Sequence, residues 1–63
     1  MPHINVSGPK INGLDKKREL TRVLTDAAAA AYGLPRETIV VVISENAPEN
    51  VSVGGQLVID RQG

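Results

Sequence analysis

The chain of 63 residues is long enough for one domain only. It has no cysteine, and His3 is its only histidine, which excludes disulfides, thiolate metal sites and histidine-rich metal sites. Seven basic residues balance seven acidic ones, and this balance argues against a dedicated nucleic-acid-binding protein. The sequence shows neither an apolar run of transmembrane length nor a signal-peptide pattern, so we expect a soluble cytoplasmic protein.

The N-terminal half of the sequence predicts a short strand followed by one helix. Residues 3–6 alternate between polar and apolar side chains, which is typical of a strand with one apolar face. Asp15 is a suitable N-cap for a helix, and Gly33 followed by Pro35 predicts where this helix ends. Between these residues, apolar side chains recur at spacings of three and four and predict one apolar stripe, made of Leu20, Val23, Leu24, Ala27, Ala28 and Ala31.

The C-terminal half predicts a buried strand and a small hairpin. Residues 38–44 form an unbroken run rich in β-branched side chains, which is typical of a strand covered on both faces. A strand, a helix and a second strand in this order predict a parallel pair joined by a right-handed crossover. In the tail, apolar residues alternate on both sides of Gly54 and Gly55 and predict a hairpin, formed by Val51, Val53, Leu57 and Ile59. The predicted fold class is therefore α+β, a β-α-β unit with a short C-terminal hairpin.

This unit is too small to bury its own apolar surface. One helix covers only one face of a two-stranded sheet, whereas the second strand requires cover on both faces. Tyr32 is the only aromatic residue, and neither a disulfide nor a metal is available to stabilise so small a domain. We therefore expect the chain to complete its core by associating with copies of itself.

The search for reactive groups leads to the N-terminus. The sequence has no cysteine nucleophile and no phosphate-binding glycine motif before a helix, and its acidic residues are scattered. Initiator methionine is normally removed when a small residue follows, and removal of Met1 would expose the secondary amine of Pro2. An apolar pocket disfavours the charged form of such an amine and lowers its pKa. An amine tuned in this way can remove a proton next to a carbonyl group, which is the requirement of a tautomerase.

The sequence resembles the 4-oxalocrotonate tautomerase family over its whole length. The resemblance rests on Pro2 directly after Met1, on the short strand–helix–strand order, on the strand "VVVISE" and on the late motif "VSVGG". It implies that two protomers join into a four-stranded sheet and that three such dimers form a homohexamer. It also implies that Pro2 acts as the catalytic base on a small 2-hydroxydienoate or 2-oxo acid substrate, without a cofactor or metal.

The chain departs from this family at positions that bind the substrate. The best-known members hold a dicarboxylate with two arginines and cover the pocket with an aromatic residue, whereas the matching positions here are Asn12, Val40 and Val51. Loss of both arginines removes bidentate recognition of a carboxylate. Lys10 is the nearest remaining cation that is able to orient an oxo acid, with Arg36 and Arg61 as weaker candidates. Asn12 is expected to supply a hydrogen bond, and Val40 and Val51 apolar walls.

Three functions therefore remain open from the sequence. The first is a tautomerase in which Pro2 is the general base. The second is a hydratase-like or dehalogenating enzyme in which a cationic Pro2 is the general acid, although this chemistry requires the carboxylate clamps that are missing. The third is a non-catalytic oligomer that serves as a scaffold or binding module. If Met1 is retained, Pro2 carries an amide nitrogen without basicity, and the first function is lost.

Overall fold

The computed structural model describes residues 1–61. The described chain contains one long helix, two strands that flank it in the sequence, a small hairpin and three short 3₁₀ helices. In chain order these elements are β1 (His3–Gly8), α1 (Leu14–Tyr32), a 3₁₀ helix (Arg36–Thr38), β2 (Val40–Glu45), a 3₁₀ helix (Pro48–Asn50), β3 (Ser52–Val53), β4 (Gln56–Leu57) and a 3₁₀ helix (Val58–Arg61).

The two long strands pair in parallel, which confirms the predicted β-α-β unit. His3 lies opposite Val40 at one end of the pair, and Gly8 lies opposite Glu45 at the other. The first strand extends beyond the predicted residues 3–6, because Ser7 and Gly8 also find partners on β2. The second strand begins at Val40, so the predicted start at residue 38 is wrong. Thr38 belongs instead to a 3₁₀ turn, in which its N–H donates to the carbonyl of Pro35 at 3.1 Å.

The helix begins earlier than the sequence predicts. Gly13 is the N-cap, with a φ of 110° that side-chain-bearing residues rarely adopt, and the predicted N-cap Asp15 lies within the first turn. The Asp15 carboxylate accepts a hydrogen bond from Arg18 at 2.6 Å instead of capping the helix. The predicted C-terminus is confirmed, because Gly33 adopts the left-handed conformation at φ 67° and donates its N–H to Ala29.

Only part of the predicted apolar stripe of α1 is shielded from solvent. Ala28 is buried, and Leu20 and Leu24 are half-buried. Val23 is 47% exposed, and Ala27 and Ala31 are also exposed. The residues with reduced exposure recur at positions 17, 20, 21, 24, 25, 28 and 29, so the shielded face is rotated away from the predicted stripe. A second apolar face of the helix is therefore open to solvent in the single protomer.

The single protomer is a thin slab with almost no enclosed core. Its dimensions are 44 × 25 × 13 Å, and Ala28 is the only hydrophobic residue buried among residues 1–61. Along β1, Ile4 and Val6 are half-buried and alternate with exposed side chains. On β2, Val42 is 43% exposed, so one face of this strand is uncovered within the protomer. Among residues 1–61, no helix has the length and apolar character needed to cross a membrane.

The tail forms the predicted hairpin, but both of its strands are shorter than expected, and the predicted strand position of Val51 is wrong because Val51 lies between the preceding 3₁₀ helix and β3. Ser52 pairs with Leu57 and Val53 with Gln56 in antiparallel register. The turn requires positive φ values, 60° at Gly54 and 85° at Gly55. The predicted strand position of Ile59 is wrong, because this residue lies in the 3₁₀ helix that follows β4. The hairpin folds back on the chain before it, since the N–H of Val58 donates to the carbonyl of Val51 at 2.8 Å.

Candidate active site

Pro2 lies directly ahead of β1 and is held there through its carbonyl group. This carbonyl accepts a hydrogen bond from the N–H of Val40 at 3.0 Å, at the start of β2. The side chain of Pro2 is half-buried, whereas that of Met1 is 80% exposed. The ring nitrogen donates no hydrogen bond to the sheet, so the pairing of the two strands does not depend on it.

Val40 is the one other predicted site residue at this end of the sheet. It is the first residue of β2, it is half-buried, and it lies opposite His3 in the parallel register. The hydrogen bond from its N–H to Pro2 makes the two residues neighbours across the strands. The surroundings of Pro2 in the protomer therefore include the aliphatic side chain of Val40.

Lys10 and Asn12 lie at the opposite end of the sheet, in the loop between β1 and α1. Both side chains are exposed. Between them, Ile11 is half-buried, and its backbone N–H donates to the Glu45 carboxylate at 2.7 Å. The second oxygen of this carboxylate accepts a hydrogen bond from the Lys17 ammonium at 3.0 Å. The loop that carries both predicted polar site residues is thus tied to the end of β2.

Two groups bonded to Glu45 favour its ionised form. The Ile11 N–H, and after it the Lys17 ammonium, hold the pKa of the Glu45 carboxyl below its ordinary value, and the charge of Lys10 acts in the same direction. Partial burial opposes this effect but does not reverse it. Glu45 is therefore an anion at neutral pH, with its charge facing Lys17.

Val51 lies in a mainly apolar groove at the same end of the sheet as Lys10 and Asn12. The groove has a volume of about 320 Å³ and is lined by Gly8, Pro9, Asn46, Pro48, Val51 and Val58. Val51 is 36% exposed, and its carbonyl is engaged by Val58. The predicted apolar role of Val51 is compatible with this setting.

The predicted site residues form two groups that a single protomer keeps apart. Pro2 and Val40 lie at the first end of the parallel pair, whereas Lys10, Asn12 and Val51 belong to segments at the other end. Six residues of β1 at about 3.3 Å each place these ends about 20 Å from one another. A small substrate cannot contact both groups within one protomer.

Arg36 and Arg61, the weaker candidates for a cation that orients the substrate, lie outside the loop that carries Lys10. Arg36 donates from its Nε to Asp26 and borders a polar groove of about 450 Å³ between α1 and the 3₁₀ turn that precedes β2. Arg61 ends the last 3₁₀ helix. Within residues 1–61, no three histidine, cysteine or acidic side chains cluster in a way that is able to hold a metal ion.

Comparison with known proteins decides the family. The sequence matches the Tautomerase family, described as tautomerase enzymes, over residues 2–61. The chain belongs to the tautomerase family.

Solved structures of tautomerase homologues share the fold of this family member. DmpI from Archaeoglobus fulgidus is 46% identical, with a TM-score of 0.85 over 94% of this chain and 100% of its own. TomN, a 4-oxalocrotonate tautomerase homologue in the tomaymycin biosynthetic pathway, is 33% identical, with a TM-score of 0.86 over 95% of this chain and 92% of its own. A heterohexameric 4-oxalocrotonate tautomerase from Chloroflexus aurantiacus is 29% identical, with a TM-score of 0.85 over 98% of this chain and 100% of its own. No curated protein matches the sequence.

The sequence did not reveal two residues, Glu45 and Asn46, that hold the backbone near Lys10 and Asn12 in place in this tautomerase family member. Glu45 appears in the sequence as one scattered acid among several, and Asn46 as an ordinary loop residue. A signal for both was available, because the carboxyl ends of parallel strands meet at one edge of a sheet. Polar side chains that directly follow "VVVIS" therefore lie beside the loop that leaves β1.

Proposed function

We propose that this protein is a tautomerase that interconverts the enol and keto forms of small 2-hydroxydienoate or 2-oxo acid substrates. The proposed general base is the Pro2 amine, made available by removal of Met1. The observation that carries the proposal is a family match that begins at Pro2. A half-buried position beside Val40 supports this role, because an aliphatic neighbour disfavours the charged amine.

The reaction requires only the movement of one proton and a rearrangement of electron pairs. The neutral Pro2 amine removes the proton from the hydroxyl oxygen at C2 of the dienol. A C2=O bond forms as the electron pair of the enol double bond moves towards a chain carbon. The Pro2 ammonium then returns the proton to that carbon, so the amine is regenerated and no oxidant or reductant is consumed.

We propose that the substrate carboxylate is oriented by the loop between β1 and α1. Lys10 supplies a cation, and Asn12 supplies a side-chain amide for a hydrogen bond. Val40 and Val51 supply apolar surface. The best-known members of the 4-oxalocrotonate tautomerase family carry an arginine and an aromatic residue at the matching positions. This combination favours a substrate with one carboxylate over a dicarboxylate, since a lysine gives a point charge and the second clamp is missing.

The complete site requires more than one protomer under this proposal. A distance of about 20 Å separates the Pro2 end of β1 from the loop that carries Lys10 and Asn12. We propose a homohexamer, in which Pro2 of one protomer meets this loop of another. Support comes from the exposed apolar side chains of the protomer, Val42 and Val23 among them, and from the heterohexameric assembly of the Chloroflexus relative. A cytoplasmic location stays a prediction.

A substrate panel tests the proposed function. Protein whose N-terminus is verified by intact mass is assayed by ultraviolet absorbance with 2-hydroxydienoates and with phenylenolpyruvate. The expected result is enzymatic ketonisation that requires Pro2 as the first residue. Failure of protein with a free Pro2 to accelerate ketonisation of any member of the panel would overturn the proposal.

A further inference from the structure

The end of β1 and the loop that follows it are held by two successive residues, Glu45 at the end of β2 and Asn46 directly after it. Asn46 donates its backbone N–H to the carbonyl of Gly8 at 2.8 Å, and its side-chain amide donates to the hydroxyl of Ser7 at 2.8 Å. Glu45 accepts the N–H of Ile11 at 2.7 Å. Asn46 therefore fixes the place where the chain leaves β1, and Glu45 fixes the middle of the loop.

The bond to Glu45 fixes the orientation of the peptide group between Lys10 and Ile11. Ile11 lies between the two proposed substrate-binding residues, so the direction in which Lys10 and Asn12 leave the backbone depends on this anchor. Among residues 1–61, the Glu45 carboxylate makes the only side-chain hydrogen bond to residues 9–12. Preorganised contacts of this kind improve binding because the substrate does not have to order the loop.

The negative charge of Glu45 is compensated by Lys17 and therefore adds little repulsion to an anionic substrate. Its second carboxylate oxygen lies 3.0 Å from the Lys17 ammonium, and the two side chains are 28% and 31% exposed. Lys17 is in turn fixed on the first turns of α1. The pair is therefore locally neutral, and the positive charge of Lys10 next to it stays available to a carboxylate.

We propose that Glu45 is the residue that positions the loop carrying Lys10 and Asn12 for recognition of the substrate carboxylate. The proposal rests on the proposed function. The lowered pKa of Glu45 is consistent with a carboxylate that stays ionised and bonded at neutral pH. Glu45 itself contacts the loop and the helix, and it takes no part in the transfer of the proton.

Glu45→Gln tests this role with little change of volume. A glutamine has one oxygen and one NH₂ group, so either the Ile11 N–H or the Lys17 ammonium then faces a donor instead of an acceptor. We expect KM for a carboxylate substrate to rise about tenfold while kcat stays within about twofold, because the lost interaction concerns binding and not proton transfer. Glu49→Gln is the matched control, since Glu49 is an exposed acid outside this loop, and its kinetics are expected to match the wild type.

The same substitution in a protein that already lacks the Lys10 and Asn12 side chains distinguishes loss of loop positioning from general destabilisation of the fold. In the Lys10→Ala, Asn12→Ala protein the loop has nothing left to position, so adding Glu45→Gln is expected to leave KM unchanged. An equal rise of KM in both backgrounds, or an unchanged KM for Glu45→Gln in the wild-type background, would overturn the role of Glu45 alone. Absence of ketonisation by wild-type protein with a free Pro2 would instead overturn the proposed function together with this role.

Discussion

The carbonyl oxygen of Pro2 accepts a hydrogen bond from the N–H of Val40 at 3.0 Å. This bond fastens the carbonyl side of Pro2 to the sheet, while on its other side the residue is joined only to the exposed Met1. Removal of Met1 therefore converts an amide nitrogen into an amine without breaking the contact that positions the proline. This contact is compatible with the proposed role of Pro2 as a base that becomes available once Met1 is removed.

Pro2→Ala is expected to lower kcat/KM for ketonisation by about 10²–10⁴-fold, the usual contribution of a positioned general base. Alanine also permits removal of Met1, but its primary amine is not held in a ring, so its nitrogen is less precisely oriented towards the substrate. The measurement is the rate of ketonisation, together with the intact mass of both proteins. The matched control is His3→Gln, on the neighbouring exposed strand position, which is expected to keep the wild-type rate. Full activity of Pro2→Ala, or retention of Met1 throughout a native preparation, would contradict the role of Pro2.

Lys10→Ala is expected to raise KM for oxo acid substrates about tenfold, because a charged hydrogen bond to the carboxylate is lost. The exposed position of Lys10 makes a large effect on folding unexpected. Steady-state kinetics give KM and kcat, and Lys16→Ala on the exposed side of α1 serves as the control. A KM for Lys10→Ala equal to that of Lys16→Ala would remove Lys10 from the site.

The sequence predicts the fold well wherever a local signal decides it. Glycine tolerates positive φ values, so Gly33, Gly54 and Gly55 are local signals for the helix end and the hairpin turn. Both features were predicted correctly. The parallel pairing follows from the order of a strand, a helix and a strand. The errors occur at boundaries where two signals compete. Asp15 has good capping chemistry, but the chain turns at Gly13, and the helix begins there.

The candidate site could be predicted only in part, for a physical reason. Pro2 is conspicuous in the sequence because of its position, and no contact needs to be known to notice it. Glu45 acts through a backbone N–H that is 34 residues away in the chain, and side-chain composition does not reveal such a partner. The separation of Pro2 from Lys10 likewise follows from the direction of β1, which places the two residues at opposite ends of this strand.

Val42→Asp is expected to break the assembly and, with it, the activity. Val42 is 43% exposed in the protomer, so a lone protomer would tolerate the change, whereas an interface that covers this face of β2 would bury the new charge. Sedimentation velocity gives the oligomeric state, and ketonisation is assayed on the same samples. Asn50→Asp, at an exposed position in a 3₁₀ helix, adds the same charge and is expected to leave the assembly intact. An unchanged oligomer for Val42→Asp would show that this face is not an interface.

Acid is expected to weaken the attachment of the loop to β2 through Glu45. The folded-state pKa of this carboxyl lies below its ordinary value of 4.5, because the Ile11 N–H and then the Lys17 ammonium bind its ionised form. A group with a lowered folded pKa stabilises the folded state above its unfolded pKa, and this stabilisation disappears as the pH falls through the folded pKa. Wild type is therefore expected to be more stable than Glu45→Gln at neutral pH, and the difference should begin to shrink below about pH 4.5. Urea unfolding at a fixed protein concentration, from neutral pH into acid, measures this difference, with Glu49→Gln as the control. A difference that stays constant across this range would contradict the assignment of the interaction to the ionised carboxylate.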